Sequence, residues 1–186
     1  MRTVLAAVVL LGALTLTGCT GSISSEPPPA DRSTPAPSAT APPASVTPTA
    51  LTPVMPGELT DASAQAESTR VADAIQALVD PALIVNVDDH SQLVEKAESD
   101  GRYYGILRTI TLDPAADAVS IATALVASLE PSGWITLETS NDGGVFLNAM
   151  TSGTEEASAW FVVVGADASV PGEAVLSIQL ASPDIP

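Results

Sequence analysis

Cationic residues are scarce in this chain: Lys and Arg total 6 against 22 Asp and Glu, a formal net charge of −16. A surface so acidic repels phosphate backbones and anionic headgroups, which argues against nucleic-acid binding and against electrostatic docking on a membrane. Cysteine is scarcer still. Cys19 is the only one, so no disulfide framework can form within the chain. With one histidine besides, there is little for a metal site or for nucleophilic catalysis. Two Trp, two Tyr and two Phe in 186 residues leave Val, Leu, Ile and Ala to fill the core. After residue 16 no run approaches the roughly 18 consecutive apolar residues that a membrane span needs.

What is present is ordered by composition. Met1-Arg2 is a short basic start, residues 4–16 are apolar, and Leu16-Thr17-Gly18-Cys19 closes the segment. This arrangement resembles the lipobox signal peptide of bacterial lipoproteins. The resemblance implies that the signal, residues 1–18, is removed, that Cys19 is the lipid attachment residue, and that the chain is held at the extracytoplasmic face of the cell membrane. Two acyl chains on one residue anchor far more durably than one, whose attachment is reversible. From Cys19 to residue 57 the chain is dominated by Pro, Ser, Thr and Ala, with Pro27-Pro28-Pro29 and Pro42-Pro43 inside it. Proline cannot donate to helix or sheet ladders and there is little apolar surface to bury, so this segment reads as a disordered, partly extended linker, glycosylated or not.

Hydrophobic periodicity begins after Pro56, and residues 58–186 read as one domain. Thr60 or Asp61 is a plausible N-cap for a helix over 61–79 that carries Val71, Ile75, Leu78 and Val79 on one face and stops at Pro81. Residues 83–87 read as a short strand, and 91–98 as a turn or two of helix before Asp100-Gly101. Residues 103–112 alternate as a strand, with Arg108 on the same face as Ile106, Ile110 and Leu112. An unpaired buried guanidinium is very costly, so Arg108 must reach an edge, pair with a carboxylate or follow a bulge, unless it is buried for a functional reason. Asp113-Pro114 reads as the start of a helix whose stripe is Ala118, Ile121, Ala122, Leu125 and Leu129. Four strands follow, at 134–139, 145–150, 159–164 and 174–180, the first two joined through Asn141-Asp142-Gly143-Gly144. Short loops make them an antiparallel meander. The expected fold is α+β, an antiparallel sheet of five or six strands with two main helices packed on one face.

The order from Tyr103 onward is similar to that of small uncharacterised lipoproteins of high-GC Gram-positive bacteria. Gly133-Trp134, the run 160–164 and Ala181-Ser182-Pro183 carry the likeness. It implies a fold and an address, and no activity.

Few residues invite chemistry. His90 follows Asp88-Asp89, but neither a zinc ligand set nor a calcium loop surrounds it, and the ordinary reading is a helix start with His90 exposed. A Ser-His-Asp arrangement would have to use His90, and no Gly-x-Ser-x-Gly elbow is present. Glu155-Glu156 reads as a solvated turn. Tyr103, Tyr104, Trp134 and Trp160 are the candidates for a binding surface, with one of the two tyrosines facing outward and the tryptophans expected in the core or at an edge. The expectation is a non-catalytic, lipid-anchored, monomeric binding or scaffold module, without cofactor or metal and without nucleic acid. Its partners are the membrane, through lipid on Cys19, and an envelope protein or glycan. The alternatives are a carrier of a lipid or apolar ligand, which would need a cavity between sheet and helices, and an envelope hydrolase.

Overall fold

The computed structural model describes residues 48–55, 57–97, 101–155 and 158–186. Cys19, the expected signal and most of the expected linker lie outside them. The elements are α1 (Pro48–Leu51), α2 (Asp61–Gln76), β1 (Ile84–Glu95), β2 (Arg102–Leu112), α3 (Ala118–Leu129), β3 (Ile135–Asp142), β4 (Val145–Thr151), β5 (Phe161–Asp167) and β6 (Val175–Ala181). All strands join one antiparallel sheet of six, in the order β1-β2-β6-β5-β4-β3. After β2 the chain therefore crosses to the far edge through α3, and the meander β3 to β6 walks back until β6 pairs with β2. The expected α+β architecture is the observed one.

The register shows why one face is buried. Ile106, Leu180, Val162 and Met150 are partners in adjacent strands, as are Ile110, Leu176, Ala166 and Phe146. All of these are buried, and α2 packs on β2 and β6 while α3 packs on β5, β4 and β6. The helices supply the complementary stripes, Ala64, Ser68, Val71, Ala72 and Ile75 from α2 and Ala118, Ala122, Leu125, Val126 and Leu129 from α3. Small residues on both stripes let the helices sit close to the sheet. Their buried side chains form one hydrophobic cluster between helices and sheet.

Three local readings differ from expectation. Of the segment expected to turn helically at 91–98, residues 91–95 belong instead to β1, which pairs without a break from Asn86↔Thr111 to Glu95↔Arg102, and residue 98 lies outside the described residues. The long partner strand offers a ladder hydrogen-bond set that no one-turn helix matches, and local propensity yields to it. α3 is capped by Asp117, not Asp113: Asp117 Oδ1 accepts from the Ser120 amide at 3.0 Å, whereas Asp113 Oδ1 takes the Ala115 amide in a turn of its own. α2 ends at Gln76, and Leu78 and Val79 lie in the turn that follows, with Val79 still buried.

The packed unit also reaches back into the expected linker. Leu51 is 2% exposed and its carbonyl accepts from Trp134 Nε1 at 2.9 Å. Arg70 Nη1 and Nη2 donate to the carbonyls of Ala50 and Thr52, Glu67 accepts from the Val54 amide, and Thr52 donates to the Ser132 carbonyl. Arg70 in turn pairs with Glu67. Proline 48 and Pro53 bound a short hydrogen-bonded clasp, so Pro-rich composition alone misplaces the boundary at residue 58.

Candidate functional site

Side chains alternate along a strand, so every buried residue of the sheet has neighbours that point away from α2 and α3. On that helix-free face one row runs Gln92, Gly105, Ala181, Phe161 and Thr151 across five strands. The next runs His90, Leu107, Gln179, Val163 and Ala149. Leu107 and Phe161 are each 40% exposed, and Ile135, Val145 and Leu147 on the same face are exposed as well. Contiguous apolar surface of this kind is what binding faces carry, whereas a lone exposed leucine means little.

Gly105 and Ala181 are the smallest pair in these rows, and the sheet dips there. The depression has a volume of about 290 Å³. Val94 and Tyr103 close one end, Phe161 and Val163 the β5 side, and His90, Leu107 and Gln179 the other end. A Cβ at Gly105 would lie 3.4 Å from both the Tyr103 ring and Val94 Cγ2, so the glycine hydrogen is what keeps the floor open. None of the lining residues is an acid, Lys or Arg, although the chain carries 28 such residues in all, 6 basic and 22 acidic.

The structure distributes the other candidate residues differently. Tyr103 faces the depression, while Tyr104 is buried on the helix side, as strand alternation demands. Trp134 and Trp160 are core residues, and Trp160 Nε1 has no partner among the described residues. His90 is exposed in the middle of β1, not in a helix start, and lines the depression with no side-chain hydrogen bond to a described residue. Asp88 is exposed on the same strand and accepts from Asn86 Nδ2. Glu155 is exposed in a turn, and Glu156 lies outside the described residues.

Arg108 is 6% exposed, and each of its three guanidinium nitrogens is hydrogen-bonded to a carboxylate. Its Nε and Nη2 donate to Asp89 Oδ2 at 3.0 and 2.7 Å, and its Nη1 donates to Asp73 Oδ1 of α2 at 2.9 Å. Asp89 stands directly opposite in the β1–β2 register. Burial pushes the Asp89 carboxyl up, but hydrogen bonds from Ser91 and Arg108 and the charges of Arg108 and His90 outweigh it and hold the pKa below the usual carboxylate value. The arrangement pins α2 to the β1 edge. Each of the three Arg108 nitrogens donates to a protein carboxylate and the side chain is buried on the helix side, so it points away from the depression.

Among the described residues, no group of three or more His, Cys, Asp or Glu is placed to hold a metal ion, and no helix is long and apolar enough to cross a membrane. The depression was not anticipated from the sequence, although two signals for it exist. Phe161-Val162-Val163-Val164 is apolar at every position, which marks a strand meeting apolar surroundings on both faces, and Gly105 interrupts a strand where any other residue would fill the dip. No family model, no curated protein and no solved structure matches the chain.

Proposed function

We propose that this chain is a lipid-anchored envelope protein whose domain is a non-catalytic binding module, and that the helix-free sheet face is its binding surface. The anchor rests on the lipobox-like segment ending at Cys19, and the binding reading rests on the apolar face around the Gly105–Ala181 depression. That face is open on the side of the sheet opposite the clasp of residues 50–54, which packs on α2 and on the turn after α3. The hydrolase alternative finds no support in the depression, whose lining polar groups are two amides, a phenol and one imidazole, with no carboxylate among them.

Site-specific photocrosslinking in intact cells tests the binding reading. A photoreactive phenylalanine analogue at Phe161, on the open face, is expected to give adducts that the same group at Ala124, exposed on α3, does not. Identical adducts from both positions, or none from position 161, would overturn it.

A further inference from the structure

We propose that the depression over Gly105 and Ala181 is a subsite for a single uncharged saccharide ring; this rests on the binding reading above and names the ligand class. The shape comes first. The dip is bounded along the strands by Tyr103 at one end and by Leu107 and Gln179 at the other, and across them by Gln92 and Phe161. A shallow hollow ringed by these side chains suits a compact ring better than a long alkyl chain or an extended peptide.

Chemistry narrows the class further. The walls pair flat or branched apolar groups, Tyr103, Phe161 and Val163, with hydrogen-bonding tips from His90, Gln92 and Gln179. These three tips make no hydrogen bond to another described residue, so they are unspent donors and acceptors above an apolar floor. A pyranose has the matching two-sided character, apolar C–H groups on a ring face and hydroxyls around its edge. An acyl chain would leave the amides without partners, and a shallow hollow would leave much of its length in water. Charge agrees. An anionic ligand would approach a chain of net charge −16 with no Lys or Arg at the hollow to receive it, and a cation would find no carboxylate in the lining.

The test uses the purified full-length mature chain held in phospholipid nanodiscs, with maltotriose and tri-N-acetylchitotriose as saccharide probes and Nile red as an uncharged apolar probe. Saturation-transfer NMR reads the sugars and fluorescence reads the dye. At least one sugar is expected to bind in the millimolar range, as suits one shallow subsite. Gly105→Val should weaken it at least tenfold by filling the floor. Gly105→Ala, whose Cβ meets Tyr103 and Val94 at ordinary contact distance, should weaken it less while leaving the melting temperature unchanged, and so separates occlusion from misfolding. Nile red binding that Gly105→Val abolishes, without sugar binding, overturns the saccharide assignment in favour of an apolar ligand. Sugar binding indifferent to either substitution, or no sugar binding at all, also overturns it. Adducts from position 161 in cells would then still stand for the binding module itself.

Discussion

Residues 50–54 carry a stability prediction that composition alone would reverse. Leu51 is 2% exposed and lies at the margin of the core, beneath a clasp of hydrogen bonds. Truncating a buried leucine to alanine costs about 2–5 kcal/mol, and a peripheral site that can partly collapse belongs near the lower end. A chain shortened to begin at Gly57 loses that burial and also leaves Trp134 Nε1 without its acceptor, a further penalty of about 1–3 kcal/mol for a buried donor. The sum, about 3–5 kcal/mol, lowers the melting temperature by roughly 10–20 °C for a domain of this size. It does not exceed the total stability of an ordinary domain, so the shortened chain is expected to fold and to melt early. Thermal circular dichroism of three chains is the assay: residues 20–186, the same with Leu51→Ala, and residues 57–186. Midpoints that coincide across all three would refute the reasoning and return residues 50–54 to a passive tether.

Further expectations follow from single sites. Asp89→Asn should destabilise the domain by about 1 kcal/mol at neutral pH, because Arg108 keeps its bond to Asp73 and Asp89 is itself partly exposed. Since the folded Asp89 pKa is lowered, its contribution is present above the unfolded carboxylate pKa and is lost as pH falls through the folded value; urea midpoints should fall on acidification in the parent and less steeply in the variant. Gly165→Ala puts a methyl against Ser177 Oγ and 3.0 Å from Leu147 Cδ2, so it should cost about 1–3 kcal/mol by overpacking, partly relieved by adding Ser177→Ala. Cys19→Ala should move the protein from the membrane fraction to the soluble fraction on cell fractionation, and firm retention would place the anchor elsewhere.

The sequence carries much of this fold in plain form. The meander from β3 to β6 is legible because its alternation and its turns agree: Gly143 and Gly144, at φ 59° and 87°, are the two-residue loop that right-handed strand twist prefers. The α2 cap is legible because Thr60 and Ser63 satisfy each other's backbone amides. The first residues of β1 were legible as a strand at 83–87, but its second half was not, since Asp88 to Glu95 is mostly polar and exposed, and its strand state is imposed by β2 lying opposite. The partners of Arg108 lie 19 and 35 residues away, beyond any local pattern, although the need for a carboxylate followed from the cost of a bare buried guanidinium. The depression is harder still. It is made by small residues at Gly105 and Ala181 that become neighbours only when the last strand returns beside β2, a pairing that the order of elements does not reveal.

Cysteine accessibility on living cells tests the binding face most directly, because Cys19 is the chain's only native thiol and lipidation would remove it from the count. Leu107→Cys on the open face and Ala124→Cys on α3 each introduce one reporter at an exposed position. A partner seated on the sheet should slow maleimide labelling at position 107 on cells at least several-fold relative to the purified protein, while position 124 labels equally fast in both. Equal rates at position 107 on cells and in isolation would contradict the claim that this face is occupied where the protein works.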